Sequence, residues 1–264
     1  MAGRAIWKGV IRFGSISVPV KLYSAVEDRK IHFRLLHQKD QTPVSQKMVH
    51  PNTGEPVPHE EIRRGYETGD GEIVLLDDEE LQSLEPEASR DIEITRFVDP
   101  DRINHQWYDR PYYMGPDSDA KSYFALAKAL EKERKEGFAR WSMRKKRYIG
   151  ALLAENGYLK MITLRYADEI VDVSELPRPV SRPFEKQEIQ MAEQLVRALE
   201  ADFDPSAYRD EYRDRVQALV ETKARGGTVT FEKIKEKKPE VVSLADMLKK
   251  SIQRAKEERK IARA

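Results

Sequence analysis

The chain contains no cysteine among its 264 residues. A disulfide framework is therefore excluded, and a metal site would have to be built from histidine and carboxylate ligands alone. No run of about 18 apolar residues occurs, so no transmembrane helix is predicted, and the opening MAGRAIWKGV lacks the apolar core of a secretory signal peptide. These absences predict a soluble protein of the reducing cytoplasm.

Signatures of catalysis are also nearly absent. The phosphate-binding loop, GxGxxG, HExxH and GxSxG motifs do not occur. Ser-x-x-Lys occurs at Ser118/Lys121 and at Ser142/Lys145, but without the SDN and KTG elements that give this motif its meaning. Both occurrences are explained by chance in a chain so rich in lysine. The sequence therefore predicts no catalytic residue and no cofactor.

Positive and negative side chains are almost equal in number, 47 Lys and Arg against 46 Asp and Glu, for a net charge of +1. They are nevertheless segregated along the chain. Residues 50–120 are strongly acidic, residues 140–147 hold five cations and no acid, and the segment after residue 233 is rich in lysine. A surface lined by one sign of charge focuses the local field. The sequence thus permits a basic channel with an acidic exterior.

The opening segment predicts a pair of β-strands. From Ile16 to Leu22 apolar residues alternate with polar ones, the period of a half-buried strand. Residues 6–13 are rich in β-branched and aromatic side chains and are separated from the second strand by Gly14. Pro19 cannot donate a ladder hydrogen bond, so we expect the second strand to lie at a sheet edge or to carry a bulge.

Further short strands follow along the first 170 residues. Hairpin turns are predicted at residues 69–71, which read Gly-Asp-Gly, and at Asn156-Gly157. One helix is predicted at residues 77–84 and another from Asp117 or Ser118 to Gly137. This pattern predicts a β-barrel or a highly curved sheet. The remaining predicted strands are residues 30–36, 46–49, 66–76, 91–98, 138–154 and 158–166, and residues 107–114 form an aromatic-rich segment.

The pattern changes after residue 176. The proline-rich LPRPVSRPFEK predicts a linker. It is followed by a helix with an apolar stripe that includes Ile189 and Leu199, and by a second helix that begins at Asp204-Pro205. We expect the second helix to bury Tyr208 and Tyr212 and to end at residues 226–227. A capping box at residues 243–246 then predicts a last helix with a stripe formed by Leu244, Met247, Leu248 and Ile252.

Two segments carry acidic or histidine side chains of the kinds that support catalysis or metal binding. The acids at residues 77–80 stand where the first turn of a helix favours negative charge, which is a sufficient structural reason for them. His50 and His59 bracket a loop with Glu60 and Glu61, where a zinc site is conceivable.

One long motif resembles a known family. The segment WKG-x-I-x-FG-x-x-x-x-P-x-KLY, residues 7–23, is similar to the opening of the bacterial Ku proteins, DNA-end-binding factors of non-homologous end joining. The resemblance extends to about Arg225. It passes through Tyr112-Tyr113, Gly115-Pro116, Phe203, Pro205, Tyr208 and Tyr212.

The resemblance implies an α+β fold with a Ku-type antiparallel β-barrel core and a helical C-terminal arm. The expected divisions are a DNA-binding and dimerisation core at residues 1–176, with an excursion from the sheet near residues 40–66. A helical arm at 177–227 and a basic C-terminal region at 228–264 follow. In many Ku relatives this excursion resembles a small zinc ribbon with a Cys-x-x-Cys pair. Here the Cys-x-x-Cys positions correspond to His50 and Thr53, and threonine is not a credible zinc ligand, so we expect no metal.

The implied function is sequence-independent binding of double-stranded DNA ends by a homodimeric ring, in the cytoplasm and on the nucleoid. The ring would protect the ends and recruit an ATP-dependent DNA ligase, with no role for a membrane. The candidate ligase-binding residues are Leu244, Met247 and Leu248, although the same stripe is equally suited to docking within the chain.

Cations on strands or strand-linked loops are the candidate DNA contacts, because phosphate contacts position a protein without reading sequence. If residues 138–154 are continuously extended, Arg144 and Lys146 share one face and Lys145 and Arg147 the other. Two alternatives stay open: a metal-dependent nuclease that uses Asp77, Asp78 or His59, and a non-topological nucleic-acid-binding scaffold. The candidate DNA-binding residues are Lys8, Arg12, Lys21, Lys47, Arg63, Arg64, Arg140, Arg144, Lys146 and Arg147.

Overall fold

A computed structural model describes residues 3–178 and 185–228. The chain divides into two units between Glu175 and Leu176. The first unit consists mainly of strands, and the described part of the second is helical. The strands are β1 (Trp7–Phe13), β2 (Ile16–Ser24), β3 (Arg64–Glu67), β4 (Ile73–Leu76), β5 (Asp91–Val98), β6 (Tyr108–Pro116), β7 (Glu136–Met143), β8 (Lys146–Glu155) and β9 (Tyr158–Leu164). The helices are α1 (Asp78–Ser83), α2 (Ala120–Glu133), α3 (Lys186–Leu199) and α4 (Glu211–Ala224).

Seven strands of the first unit form a closed barrel in the order β1-β2-β6-β9-β8-β7-β5. Within this barrel neighbouring strands are antiparallel except for β1 and β5, which run parallel and close it. The predicted α+β fold with a β-barrel is therefore confirmed. The parallel closure was not predicted, because it joins segments about 80 residues apart that no local pattern relates.

The β1–β2 hairpin agrees with its pattern. Gly14 adopts a φ of 55° in the turn, and Val18, Val20 and Leu22 are fully buried. The expectation drawn from Pro19 was wrong, because β2 lies between β1 and β6 and neither of its ladders carries a bulge. Val10, opposite Pro19, donates its N–H to the Arg90 carbonyl on its other side at 2.8 Å. Val10 and Pro19 therefore form a non-hydrogen-bonded pair of the antiparallel ladder, and the absence of an N–H on Pro19 removes no hydrogen bond between β1 and β2.

Helix α2 packs against the barrel through Tyr123, Leu126, Ala127 and Leu130, which are buried in the same apolar cluster as the inward-facing strand residues. The Tyr123 hydroxyl is the polar element of this contact. It donates to the Met114 carbonyl at 2.5 Å and accepts from the Leu159 N–H at 2.9 Å. One side chain thus joins the helix to β6 and β9.

Both ends of α2 differ from the prediction. The N-cap is Asp119, whose carboxylate accepts from the Ser122 N–H at 3.0 Å, rather than Asp117 or Ser118. The C-cap is Arg134, with a φ of 49°, rather than Gly137. Gly137 lies in β7, where an added Cβ would stand 3.2 Å from Ile94 and Phe97 side-chain atoms. Its small size serves strand packing instead of a helix cap.

One carboxylate is buried at the start of β7. Glu136 is 8% exposed and accepts a hydrogen bond from the Tyr108 hydroxyl at 2.8 Å. Burial raises the pKa of Glu136 above its usual value of 4.5, while the Tyr108 hydrogen bond opposes this. Burial, followed by the contact with Glu136, also raises the pKa of Tyr108. The pair is therefore a neutral phenol beside a carboxyl group that holds its proton more tightly than usual.

The segment between β2 and β5 leaves the barrel. The predicted strands at residues 30–36 and 46–49 do not form; only isolated bridges join Leu36 to Pro43 and Val49 to Pro56. Among the described residues neither segment pairs with a sheet, so their strand-like composition does not lead to a strand. The hairpin turn at residues 69–71 is confirmed, and it joins β3 to β4 in a separate two-stranded sheet.

In the second unit, α3 confirms the predicted stripe helix. The next helix does not begin at Asp204, which caps only a 3₁₀ turn by accepting from the Ser206 N–H at 2.9 Å. Asp210 is the N-cap of α4 and accepts from the Arg213 N–H at 3.0 Å. The expected burial of Tyr208 and Tyr212 was wrong, since they are 76% and 68% exposed. The helical pattern predicted that α4 forms, but the burial of its tyrosine side chains depends on a surface that packs against them.

Candidate nucleic-acid interface

The basic run at residues 140–147 forms a hairpin end. Arg144 and Lys145 occupy the two turn positions between β7 and β8, with φ of 50° and 65°, and Ser142 pairs with Arg147 across the strands. The expectation of an extended chain, with Arg144 and Lys146 on one face, was wrong. Two-residue hairpins of this kind favour Asn or Gly because φ is positive, and the turn carries two cations instead.

The charges at this turn are largely uncompensated. Lys145 Nζ lies 3.0 Å from a Glu85 carboxylate oxygen. Among the residues that the structure describes, the side chains of Arg144, Lys146 and Arg147 have no ion-pair partner, and all three are exposed. We name Arg144, Lys146 and Arg147 the turn cations. They form a compact, solvated positive site that is suited to phosphate.

The cations of the opening hairpin are held by acids. Lys8 and Lys21 stand opposite each other on β1 and β2, and both bind Asp117, with N–O distances of 3.2 Å and 2.7 Å. The hydrogen bond from Lys21 holds the pKa of Asp117 below its usual value, and the same bond raises the pKa of Lys21. One carboxylate therefore serves two ammonium groups.

A second acid-matched set crosses the barrel surface. Arg12 bonds to Asp91 at 2.7 Å, and Arg140 bonds to Glu93 at 2.9 Å. In the sheet, Glu93 stands between them, as the Cα partner of Arg12 on β1 and of Arg140 on β7. Phosphate would have to compete with these carboxylates, so this face is a weaker candidate for DNA contact than the turn cations.

The three remaining candidates lie in the segment between β2 and β4. Lys47 is exposed. The Arg63 guanidinium donates to the Glu60 and Ile62 carbonyls at 2.6 Å and 3.1 Å, and Arg64 lies 3.5 Å from Asp78. The ten predicted cations therefore differ in their partners: some are paired with acids or bonded to carbonyls, and the turn cations are not.

The acids Asp91, Glu93 and Asp117 were missed by sequence reasoning although they decide which cations are free. Each is brought to its cation by strand pairing or by the end of a strand. No spacing along the chain relates Asp117 to Lys8, so only the sheet register could have identified these partners.

The residues considered for metal or nuclease chemistry do not form such a site. Within the described ranges no group of three or more histidine or acidic side chains could hold a metal ion. His50 Nδ1 accepts from the Asn52 N–H at 3.4 Å. His59, Asp77 and Asp78 do line one depression of about 490 Å³, but Arg63 and Arg64 line it too. Asp78 is paired there with Arg64, and the two arginines would oppose a bound metal cation.

The proposed ligase-binding residues Leu244, Met247 and Leu248 lie outside the described residues. Among the helices that the structure does describe, none has the length and apolar character needed to cross a membrane.

Comparison with known proteins gives a consistent result. Residues 12–191 match the family described as the Ku70/Ku80 beta-barrel domain. Non-homologous end joining protein Ku 2 of Geotalea uraniireducens is 38% identical over 231 residues, covering 88% of this chain and 90% of the relative. Non-homologous end joining protein Ku of Solibacter usitatus is 33% identical, covering 97% and 95%. The Coxiella burnetii protein of that name is 36% identical, covering 99% and 98%. With the closed barrel, these matches establish that the chain belongs to the Ku family.

Proposed function

We propose that this protein binds the ends of double-stranded DNA without sequence specificity, as a homodimeric ring, in non-homologous end joining. The observation that carries this proposal is the family match across the barrel, together with relatives over nearly the whole chain that are named as end-joining proteins. The protein acts by binding and positioning, not by catalysis.

The turn cations are the proposed phosphate contacts. Their charge is uncompensated within the described chain, and a hairpin end can reach a backbone that a flatter surface cannot. Contacts of this kind hold a duplex without reading bases. Lys8, Arg12, Lys21, Lys47, Arg63, Arg64 and Arg140 remain proposed as secondary contacts, to which DNA gains access by displacing or sharing their acids.

A second copy of the chain is the proposed cover for the segment that leaves the barrel. Large apolar side chains there are open to solvent, which is costly for a monomer of this size. Burying them in a self-complementary interface would produce a two-fold dimer, and two such segments that meet would close a ring. These apolar side chains include Phe33 (66%), Leu35 (64%), Met48 (68%), Ile73 (71%) and Leu75 (68%).

The end-dependence of binding tests this function. A linear duplex and a covalently closed circle of the same sequence and length are titrated with the purified full chain. Threading predicts binding to the linear form and only weak, salt-sensitive binding to the circle. Equal affinity for both would support the non-topological scaffold and overturn the ring. Appearance of cleaved products with Mg²⁺ or Mn²⁺ would instead favour the nuclease.

Recruitment of an ATP-dependent DNA ligase is proposed for the C-terminal region, through Leu244, Met247 and Leu248. A chain ending at residue 228 is expected to bind linear DNA normally and to lose stimulation of the ligase. If the truncated chain stimulates ligation as well as the full chain, the ligase contact lies elsewhere. Loss of DNA binding on truncation would instead indicate that this region supports DNA binding, through its lysines or through docking of the stripe within the protein.

A further inference from the structure

A cavity of about 430 Å³ opens on the barrel surface. Strand residues from β7, β8 and β9 form part of its apolar lining, and the segment between β5 and β6 supplies another part. Six large apolar lining residues are half-buried: Val98, Ile103, Trp107, Phe138, Ile149 and Leu164. Nothing in the proposed binding of DNA uses this cavity.

The segment that walls the cavity is rigidly built. Two successive 3₁₀ turns shape it, with the Ile103 N–H donating to the Pro100 carbonyl at 3.1 Å and the Trp107 N–H to the Asn104 carbonyl at 3.0 Å. The Arg165 N–H then donates to the Trp107 carbonyl at 2.8 Å. A pocket whose wall is fixed in this way can bind a ligand without a large ordering cost.

Arg165 is committed to this wall. Its guanidinium donates to the Gln106 carbonyl at 2.9 Å and to the Tyr108 carbonyl, and it pairs with Asp109 at 3.3 Å. It holds the wall in place and is not available to a ligand.

Arg96 and Arg102 also line the cavity, and they differ from Arg165. Within residues 3–178 and 185–228 neither guanidinium group has a hydrogen-bond or ion-pair partner, and both side chains are exposed. Asp99 pairs with Lys135, which is the main cause of its lowered pKa, and the charge of Arg102 adds to that effect without forming an ion pair. Asp101 does not line the cavity. The cavity therefore has an apolar interior and two exposed guanidinium groups that have no ion-pair partner among the described residues.

We propose that this cavity is a docking site for a short acidic segment of a partner protein, in which an aliphatic or aromatic side chain fills the cavity and flanking carboxylates bind Arg96 and Arg102. Charge complementarity selects the sign of the ligand, and guanidinium groups match carboxylates in geometry. The apolar lining selects a peptide over a nucleic-acid backbone, because phosphates bring no apolar group and would leave the concavity filled with water.

The probe for this site is a fluorescein-labelled hexapeptide of sequence EDLFDE, titrated into the full-length protein and followed by fluorescence anisotropy. Two further peptides separate the contributions: EDAADE retains the charge without the apolar pair, and KRLFKR retains the apolar pair with reversed charge. Saturable binding is expected for EDLFDE alone. If EDAADE binds equally well, or EDLFDE does not saturate, the proposal is overturned.

The variant Arg96→Glu/Arg102→Glu is expected to weaken EDLFDE binding about tenfold or more. Its matched control is Lys128→Glu/Arg134→Glu, which makes the same change in net charge on exposed residues that do not line the cavity. Equal weakening by both would indicate a general charge effect and overturn the proposal.

A second variant, Ile103→Ser, tests the apolar part of the site without a change in charge, and it too is expected to weaken EDLFDE binding. Circular dichroism verifies that each variant is folded. Unchanged affinity would contradict the assignment of this cavity.

If the Arg96→Glu/Arg102→Glu protein instead loses duplex DNA binding while EDLFDE binding persists, the two arginines belong to a DNA surface and the peptide site is overturned. The linear-versus-circular DNA comparison is independent of all of these outcomes.

Discussion

Neutralising the turn cations should reduce the salt dependence of DNA binding in a calculable way. In the variant Arg144→Gln/Lys146→Gln/Arg147→Gln, three exposed cations without a described ion-pair partner are lost from each chain. Each neutralised phosphate contributes about 0.9 to the slope of log affinity against log salt, so three contacts account for about 2.7 per chain. For each chain that contacts the duplex, this slope difference changes the ratio of wild-type to variant affinity by about 40-fold between 50 and 200 mM salt.

The assay is a titration of labelled linear duplex with wild type and variant at several salt concentrations. The matched control is Lys8→Gln/Arg12→Gln/Arg140→Gln, which removes the same charge from side chains held by carboxylates. The control should change the slope much less, because those cations already have partners that phosphate must displace. An unchanged slope in the turn variant, or an equal loss in the control, would refute the reasoning.

Three further predictions concern the barrel and are measured by denaturant unfolding. Tyr123→Phe removes a buried hydroxyl that satisfies two backbone groups, and the free energy of unfolding should fall by about 2–3 kcal/mol. Gly150→Ala places a Cβ 2.8 Å from a backbone oxygen and from the Trp141 ring, which should cost about 1–3 kcal/mol. Because the pKa of Glu136 is raised in the folded protein, the free energy of unfolding of the wild type should fall as pH rises from about 4.5 through that raised value. The variant Glu136→Gln can still accept the hydrogen bond from Tyr108, and its stability should lack this pH-dependent loss.

Each of these predictions has a contrary result. Tyr208→Phe, at an exposed tyrosine, should leave stability nearly unchanged, and an equal effect at Tyr123 would contradict the buried hydrogen-bond argument. Gly69→Ala meets no atom within 4 Å and serves as the control for Gly150. A constant difference in stability between Glu136→Gln and wild type from pH 4 to pH 8 would show that this carboxyl titrates normally.

Local pattern predicted the elements whose signal lies within a few residues. The strand at residues 91–98 was predicted with the bounds that β5 has. Asn156-Gly157 was predicted as a turn, and it adopts φ of 54° and 78°. Gly and Asn adopt a positive φ more readily than other residues, so the residue types themselves indicate the turn.

The turn at Arg144-Lys145 could not be recognised in that way. Neither residue favours a positive φ, so the strand pattern appeared to run on, and the turn is imposed by pairing of β7 with β8. The candidate site shows the same division. The cations were identifiable by residue type, but their partners depend on register, as when Asp117 at the end of β6 reaches Lys8 and Lys21. Charge compensation is a property of the sheet and not of the sequence around each cation.

The most direct test of the central claim is topological trapping. The protein is loaded on a linear duplex, both ends are then blocked with a bulky protein, and excess unlabelled linear DNA is added. A threaded ring predicts that the protein stays on the blocked duplex and leaves an unblocked one. Equal loss from both would contradict threading, even if the protein binds linear DNA tightly.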